Sequence, residues 1–567
     1  MLVKPLLGLL LASSATAKLT GWPTPANAQT GDSTVCLSDD FCIVAPHGAP
    51  QDLVEAAERA TERLKKLKHR YLSPTRGSEF FPDGRGCDST IDKLQLKLHG
   101  HTTSIEELSH RKAEERSELE AYKLSLKGKH GTASSSSSLG LLRAISTFET
   151  LFYRHDNKVY APFAPYDIDD KPLFPWRAVL LDTSRNFFSV DTLKRTLDAM
   201  QQTKLSVFQW HITDAQAWPL SVAGFEDIAQ KGAYDPWAVY TEDDVREVVS
   251  YGAKRGIDVL LEIDTPGHTS IIAHARPELI ACFEGKGWNA PGSDPPAGLA
   301  NEPPAGQLRF GDPNVIKFTQ GLFEAASGLS ASPYFGSGGD ELNENCMLND
   351  GPTQEVMKAK NATLNELLKE FTVQTHKTLR DKGKTPVVWE EMALAHGDQG
   401  LGDDTLVTVW IDANNVKAVV DKGFKLIHAA NEFFYLDCGQ GGWIPATPET
   451  PGAAGVGNSW CDPFKTWMKI LSFDPFNGTT PEQHSQVMGG QASLWCEQTD
   501  ETNVDSQLWP RAAAVAEVFW NGGSKLAPDY VHAMNDIRYR MVEQGIDARP
   551  LQPEWCALRP DKCNLDS

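Results

Sequence analysis

The chain has 567 residues, of which 41% are hydrophobic, and its formal net charge is −21 at pH 7. This length predicts two or three domains with a sizeable core. The acidic balance, without a long basic run, argues against nucleic acid or an anionic membrane surface as a partner. The 15 tryptophans are informative because indole faces offer flat apolar platforms on which sugar rings stack.

Residues 1–17 are predicted to be a signal peptide. Lys4 precedes the apolar run 6–12, and Ala15 and Ala17 supply small residues for cleavage. The apolar run is too short to span a bilayer, and no other long apolar run follows it. We therefore expect a secreted protein, either extracellular or sent through the secretory route to a vacuole or lysosome.

The 10 cysteines fit an oxidising compartment, and none has a Cys-x-x-Cys zinc spacing. Cys36 and Cys42 are close enough in sequence to suggest a disulfide, which would leave Cys87 and Cys496 as free thiols. The sequence alone leaves the pairing of these four cysteines open. The other predicted disulfides are Cys282–Cys346, Cys438–Cys461 and Cys556–Cys563.

Two sequence triplets are acceptors for N-linked glycans. They are Asn361-Ala-Thr and Asn477-Gly-Thr. Both are predicted glycosylation sites in a chain that enters the secretory route.

Residues 18–170 are predicted to form a smaller, non-catalytic α+β domain. The amphipathic run Gln51–Lys68 predicts a helix, and alternation over Ile91–Leu98 predicts a strand. The charged residues 105–120 are expected on a solvated face, and the serine run 134–138 in a loop.

Residues 171–550 are predicted to form a (β/α)8 TIM barrel, because short apolar strands alternate with amphipathic helices. A doubly wound sheet is the alternative, but its Gly-rich phosphate turn is missing. Residues 551–567 are expected to form a tail closed by a disulfide. The predicted strands are Ala178–Leu181, Leu205–Trp210, Asp258–Ile263, Pro333–Gly336, Val387–Trp389, Leu406–Trp410, Lys425–His428 and Val487–Ser493.

The insertion Gly285–Gly306 is rich in proline and glycine and has no helix or strand pattern. It is either a rim loop beside the pocket or a surface excursion. We prefer the surface excursion.

The run Gly338-Gly339-Asp340-Glu341 is the most informative motif. Adjacent, partly buried carboxyls tend to split into one ionised and one protonated group, which suits hydrolysis of a glycosidic bond. Alone, the motif could be an acidic loop. In a barrel, however, chemistry lies where strands end, and other predicted strands also end in acidic or aromatic residues. This set indicates a carbohydrate-cleaving pocket.

From about Phe174 to Gly545 the chain resembles glycoside hydrolase family 20, the β-N-acetylhexosaminidases, and within it the secreted fungal enzymes. The resemblance implies exo-acting, retaining hydrolysis of terminal non-reducing β-linked N-acetylhexosamine, with GlcNAc, or GalNAc as well, as the sugar. The substrates would be chitooligosaccharides or glycans. The motifs that carry the resemblance are Arg177 to Asn186, Trp210 to Asp214, Asp264 to His268, Gly338 to Glu341, Tyr435 to Gly439 and Gly490 to Glu497.

The resemblance also implies roles for individual residues. Glu341 would be the general acid and then the general base, and Asp340 would bind the acetamido N–H of an oxazolinium intermediate. Tyr435 would donate to the acetamido oxygen. Asp214 and His268 would form a relay behind Glu341, with an ordinary buried histidine as the alternative.

Sugar-binding roles follow in the same way. Arg177, Asp437 and Glu497 would hold sugar hydroxyls, and Trp389, Trp410 and Trp495 would form a cage around one sugar. Asp182 and Arg185 are expected to make a structural ion pair near the pocket. Departures from the family pattern are Gln209, Ala215 and Ala217 on either side of Gln216, and Cys496.

No metal or organic cofactor is predicted, because carboxyls and water suffice for this chemistry. The predicted partner is a carbohydrate, and family members often form a homodimer. Two further functions stay open. One is a disaccharide-releasing enzyme of the same family, and the other is a sugar-binding protein without activity.

Overall fold

The computed structural model describes residues 21–71, 86–100, 102–285, 298–443, 458–525, 527–559 and 562–563. The predicted signal peptide lies outside the described residues. Within these ranges, no helix combines the length and the apolar character that crossing a bilayer requires.

Within the described residues, the strands form two large sheets and a two-stranded one. The strands are β1 Asn27–Gln29, β2 Ser33–Val44, β3 Ser89–Leu98, β4 Tyr122–Lys127, β5 His130–Ser135, β6 Tyr153–His155, β7 Lys158–Ala164, β8 Tyr166–Asp170, β9 Trp176–Asp182, β10 Val207–Thr213, β11 Asp258–Ile263, β12 Ile280–Ala281, β13 Gln307–Leu308, β14 Tyr334–Gly338, β15 Thr385–Trp389, β16 Leu406–Val409, β17 Lys425–His428 and β18 Val487–Leu494.

The helices flank these sheets. They are α1 Gln51–Lys66, α2 Ile105–Ser109, α3 Ala113–Glu118, α4 Ser138–Thr150, α5 Val190–Gln202, α6 Glu226–Gly232, α7 Glu242–Ala253, α8 Pro313–Ser327, α9 Glu344–Asn349, α10 Gly351–Lys360, α11 Leu364–Asp381, α12 Glu391–Leu394, α13 Val416–Asp421, α14 Asn431–Phe434, α15 Trp467–Leu471, α16 Val504–Leu508, α17 Arg511–Asn521, α18 Ala527–Glu543 and α19 Glu554–Ala557.

The first sheet has eight strands in the order β1-β8-β4-β5-β3-β2-β7-β6. Helices α1 and α4 pack together and cover it, because the apolar stripe of α1 (Leu53, Ala57, Ala60 and Leu64) is buried in the same cluster as the inward side chains of the strands. The sheet and its helices form the α+β part of the chain.

The serine run was predicted to be a loop, and this prediction is wrong. Strand β5 extends to Ser135, and α4 begins at Ser138. The side chain of Ser137 accepts a hydrogen bond from the N–H of Gly140, so it caps the helix. Serine is a preferred residue at this position, which explains why it stands between a strand and a helix.

The charged residues 105–120 were expected on a solvated face, which holds for Glu107, Lys112, Glu115 and Glu118 but is wrong for Arg116 and Glu120. Arg116 and Glu120 are fully buried where the first domain meets the barrel. Arg116 lies 3.6 Å from Asp258 at the start of β11. The charges are paired across the domain interface, which offsets the cost of removing them from water.

The second sheet is a closed barrel of eight strands, each parallel to its neighbours, in the order β9-β10-β11-β14-β15-β16-β17-β18. All eight predicted strands overlap the observed ones, and Asp258–Ile263 and Lys425–His428 have the predicted bounds. The predicted TIM barrel with a smaller preceding domain is confirmed. The carboxyl ends of the strands therefore meet at one end of the barrel.

Four disulfides are present among the described residues. Cys36 pairs with Cys87, so the predicted Cys36–Cys42 pair and a free Cys87 are wrong. Cys36 and Cys42 lie six residues apart in β2, about 20 Å in extended chain, far beyond the reach of a disulfide. Cys42 and Cys496 carry free thiols. The other three predicted disulfides are present.

Candidate active site

Two glycines at the end of β14 turn the chain into the carboxylate pair. Gly338 and Gly339 have φ angles of 67° and 97°, which strongly favour glycine. A Cβ atom at Gly338 would lie 1.7 Å from Oδ1 of Asp264. That same oxygen accepts a hydrogen bond from the N–H of Gly339 at 2.8 Å. The glycines thus let the carboxylate of Asp264 hold the turn that presents Asp340 and Glu341.

His268 connects this pair to a buried carboxylate. Its Nδ1 lies 3.0 Å from Oδ1 of Asp214. Its Nε2 lies 3.5 Å from Oε2 of Glu341 and 3.7 Å from Oδ2 of Asp340. The structure therefore brings together all four residues predicted for the acid–base centre.

The charges of this centre are strongly coupled. Burial would lower the pKa of His268, but Asp214 and Asp264 outweigh burial and hold it well above its ordinary value. Burial would raise the pKa of Asp214, but Arg185 and His268 outweigh it and hold it well below. An imidazolium thus lies between an ionised carboxylate and the Asp340–Glu341 pair.

Asp340 differs from Asp214. Burial, together with the nearby Asp264, raises its pKa well above the usual range. Within the described ranges, its buried Oδ1 has no hydrogen-bond partner. An unsatisfied buried oxygen is costly, so this atom is suited to a hydrogen bond from a ligand.

Asp264, His268 and Asp340 also lie close enough to share a cation, with one candidate atom from each within 4.8 Å of the others. A protonated imidazole has no lone pair for a metal. Because the pKa of His268 is held well above its ordinary value, a metal at these three side chains would have to displace that proton.

Four aromatic side chains wall the pocket. The ring centre of Trp389 lies 5.9 Å from that of Trp495 and 6.5 Å from that of Trp410. The ring of Tyr435 stacks on Trp410 at 5.9 Å with an interplanar angle of 7°. The three tryptophans expected to form a cage are therefore together, and Tyr435 lies beside them.

Trp460 extends this wall, and the sequence reading missed it. Its ring meets Trp410 and Tyr435 edge-on, each at 6.1 Å, and the residue is 59% exposed. It lies in the loop between β17 and β18, beside Cys461, whose disulfide ties that loop to Cys438 after β17. The position of this disulfide could have signalled that the loop returns to the pocket.

Two tryptophans are oriented by carboxylates behind them. The Nε1–H of Trp389 donates to Glu262 at 3.0 Å, and that of Trp410 donates to Glu391 at 2.9 Å. Burial, with Asp340 nearby, raises the pKa of Glu391 to about 8. Because indole nitrogens are donors only, these bonds fix which way each ring faces.

Arg177 was predicted to bind sugar hydroxyls, and the structure contradicts this. The side chain is fully buried. Its guanidinium donates to Oε2 of Glu120 at 2.6 Å and to the carbonyls of Lys204 at 3.0 Å and Phe174 at 2.8 Å. Arg177 is the second residue of β9, so it lies at the amino end of the strand, against the first domain. The rule that barrel chemistry lies at carboxyl ends could have excluded it.

Arg185 is the arginine at the pocket. It does make the predicted ion pair with Asp182, at 3.3 Å, but it also lies 2.9 Å from Asp214 and 2.6 Å from Glu302. Its guanidinium carbon lies 5.2 Å from the ring centre of Trp495. Arg185 therefore joins the acid–base centre to the aromatic wall.

The position of Glu302 shows that the end of the insertion Gly285–Gly306 lies at the pocket. Together with Leu299 and Asn301 it lines a small cavity beside His268 and Glu341. The preferred surface excursion is therefore wrong for residues 298–306, which form a rim loop, while residues 286–297 lie outside the described residues. Burial raises the pKa of Glu302 to about 7, although Arg185 opposes it.

Asp437 and Glu497 lie side by side at the edge of the cage. Burial raises the pKa of each to about 8, with Glu497 adding to the shift of Asp437 and Glu302 to that of Glu497. Near neutral pH such carboxyls can both donate and accept hydrogen bonds, as sugar hydroxyls require. Between Trp495 and Glu497, Cys496 is buried and donates its N–H to Asp182.

The two predicted glycosylation sites lie at the surface of the protein. Asn361 and Asn477 are both exposed. Both remain predictions.

Comparisons with known proteins agree with this geometry. Residues 174–523 match the catalytic domain of glycosyl hydrolase family 20, and residues 21–151 match a domain described as β-acetyl hexosaminidase like. A β-hexosaminidase of Arthroderma benhamiae is 35% identical over 76% of this chain and 72% of its own length. A chitooligosaccharidolytic β-N-acetylglucosaminidase of Ostrinia furnacalis is 31% identical over 96% and 89%.

A solved structure shares the fold. The exo-β-N-acetylglucosaminidase of Vibrio harveyi, in complex with N-acetylglucosamine, superposes with a TM-score of 0.73 at 22% identity, covering 94% of this chain and 78% of that one. The family match covers more than half of the chain and includes every strand of the barrel. The chain belongs to glycosyl hydrolase family 20.

Proposed function

We propose that the chain is an exo-acting β-N-acetylhexosaminidase that removes a terminal β-linked N-acetylhexosamine with retention of configuration. One observation carries the proposal. Glu341 and Asp340 lie side by side at the carboxyl end of β14, backed by the His268–Asp214 pair and faced by an aromatic cage. Binding alone would not need an acid beside a second carboxyl.

The reaction begins with one sugar held in the cage of Trp389, Trp410 and Trp495. Glu341 donates its proton to the glycosidic oxygen, which leaves as an alcohol. The carbonyl oxygen of the substrate's own acetamido group attacks the anomeric carbon and forms an oxazolinium ion. Such an internal nucleophile gains from proximity.

Asp340 and Tyr435 orient the acetamido group. The Oδ1 atom of Asp340, which has no hydrogen-bond partner within the described residues, accepts a hydrogen bond from the acetamido N–H. Once Asp340 is ionised, its carboxylate stabilises the positive charge of the oxazolinium ring. The hydroxyl of Tyr435 donates to the acetamido oxygen. Glu341, now a carboxylate, then takes a proton from water, which adds to the anomeric carbon and restores the acid.

The remaining polar groups serve sugar hydroxyls. Arg185, rather than Arg177, supplies a guanidinium at the pocket, while Asp437 and Glu497 form its edge. The relatives named for chitooligosaccharides favour β-linked GlcNAc oligomers as the substrate. The four disulfides support passage through an oxidising, secretory compartment. The homodimer remains a prediction.

The test is release of the aryl alcohol from an aryl β-N-acetylglucosaminide. The parent should be active, and Glu341→Gln should lose at least ~10²-fold in kcat. Glu344→Gln is the matched control, because this glutamate lies three residues further on, at the start of α9, with its side chain 54% exposed. No turnover by folded parent would refute the proposal and favour a sugar-binding protein.

A thiazoline analogue of the oxazolinium ion tests the route separately. It should inhibit the parent far more strongly than free N-acetylglucosamine does. Weak inhibition of an active enzyme would show that the acetamido group is not the nucleophile.

A further inference from the structure

A second cleft lies at the opposite end of the barrel from Glu341. Its volume is about 970 Å³, and helices α1, α4, α5 and α18 surround it. One part of it, the interdomain cleft, lies between α1 and α4 on one side and α5 and the end of α7 on the other. It is lined by Arg59, Arg63, Glu149, Asp198, Gln202 and Arg255. Gln202 ends α5 and Arg255 follows α7, so both stand at the amino ends of the barrel strands.

Three guanidinium groups meet in the interdomain cleft, and two are neutralised. Arg63 donates to both oxygens of Glu149, at 2.7 and 2.9 Å. The Nε–H of Arg255 donates to Asp198. Each of these pairs has the direct contact that makes an arginine–carboxylate bond strong.

Arg59 makes only a longer contact, because its Nη1 lies 3.9 Å from Oε2 of Glu55 on the same helix. Its buried Nη2 has no hydrogen-bond partner in the described part of the chain. Burial, with the charges of Arg255 and Arg63, lowers the pKa of Arg59, although the carboxylates of Glu55 and Asp198 oppose the shift. Arg59 thus has the weakest carboxylate contact of the three arginines.

We propose that the interdomain cleft binds a phosphate or sulfate group, either as the free ion or as a monoester, with Arg59 as its central donor. A guanidinium presents parallel N–H groups that match two oxygens of such an anion. Binding satisfies the buried Nη2 and places negative charge beside three guanidinium groups.

Two further features describe the ligand. The buried Oε1 of Gln202 also has no hydrogen-bond partner within the described ranges, so it can accept from a hydroxyl. A hydrogen phosphate ion carries one, and so does a sugar ester. The volume of the cleft leaves room for a sugar beyond the anion.

The site would also join the two domains. Arg59 belongs to α1 of the first domain, whereas Gln202 and Arg255 belong to the barrel. A ligand held between them binds the docked, folded state, so its binding should raise the melting temperature with increasing concentration.

The test measures binding by calorimetry at pH 7 with inorganic phosphate, inorganic sulfate and glucose 6-phosphate, each against chloride at equal ionic strength. The parent should bind at least one of them saturably, and Arg59→Gln should weaken that affinity at least ~10-fold. Arg246→Gln is the matched control, because this arginine is 50% exposed on α7 and pairs with Glu242. It should leave the affinity unchanged.

The outcomes separate the two sources of the anion. Tighter binding of glucose 6-phosphate than of either ion supports an ester, and equal or tighter binding of an ion supports the free anion. Hydrolysis of the aryl substrate should be unchanged in Arg59→Gln, which verifies its fold. Should that variant misfold, Arg59→Lys keeps the charge, loses the paired donors and should also weaken binding. No saturable binding, or equal binding by parent and variant, would overturn the proposal.

Discussion

Replacing Asp214 with asparagine should move the alkaline limit of hydrolysis to lower pH. In the parent, the ionised carboxylate of Asp214 lies 3.0 Å from His268 and helps to hold the pKa of His268 well above its ordinary value. Asparagine keeps the shape and removes the charge. His268 should then lose its proton at lower pH, and the imidazolium beside Asp340 and Glu341 should disappear with it.

The size of the effect follows from the separation of the charges. Two unit charges with centres about 4 Å apart interact by about 4 kcal/mol at an effective dielectric constant of about 20. At 1.36 kcal/mol per pKa unit, this corresponds to a fall of about three units in the pKa of His268. We assign the alkaline limb of kcat/KM to loss of the imidazolium of His268, which supports the Asp340–Glu341 pair, so this limb should shift down by up to that amount.

The assay is a pH profile of kcat/KM on an aryl β-N-acetylglucosaminide. Asp182→Asn is the matched control, since Asp182 pairs with the same Arg185 but its hydrogen bonds and ion pair within the described residues go to Ser184, Arg185 and Cys496 rather than to His268. An alkaline limb that stays in place in Asp214→Asn would refute the reasoning. An equal shift in both variants would show that the effect passes through Arg185 instead.

Three further changes test other parts of the structure. Gly338→Ala should lower kcat at least ~10²-fold and also lower the melting temperature, because the new Cβ would lie 1.7 Å from Asp264. Gly423→Ala is the control: Gly423 has a φ of 88° but open space around it, so this change should lower the free energy of unfolding by only about 1–2 kcal/mol. Glu391→Gln should flatten the pH dependence of the free energy of unfolding measured in denaturant. The carboxyl of Glu391, with its pKa raised to about 8, stabilises the fold below about pH 4.5 and loses this contribution as the pH rises towards 8. Equal pH slopes in parent and variant would contradict this. Removing the Cys282–Cys346 disulfide, with a sequence separation of 64, should lower the free energy of unfolding by about 4 kcal/mol in denaturant titrations, and an unchanged midpoint would contradict the loop-closure argument.

The barrel was predictable because its strands are buried on both faces. All residues of β9, β10 and β11 are buried, so each reads as a short apolar run between polar turns. Such strands can be recognised from the local sequence, without knowing which distant residues they contact. The residues that follow them, including Asp214, His268, Asp340 and Glu341, were found for the same reason.

The contacts of the arginines were less predictable. Arg177 and Arg185 are eight residues apart and look equally suitable in sequence, but one lies at each end of β9. Only the direction of the strand separates them, and then only when the rule of carboxyl ends is applied residue by residue. The partner of Arg177, Glu120, is 57 residues away in another domain, and no local pattern reveals such a pair.

Glu302 could not be found from a pattern of its own, because it reaches the pocket through a contact with Gln216, which follows β10. The Oε1 of Gln216 accepts from Arg185 at 2.9 Å, and its Nε2 donates to Glu302 at 3.0 Å and to the carbonyl of Pro303 at 2.9 Å. A carboxylate at this position would repel Glu302 and could donate to neither oxygen. The amide and the rim loop therefore depend on each other. A residue that follows one strand is thus held by a loop that lies 86 residues later in the chain, and the pair should be changed together in any attempt to alter the rim of this pocket.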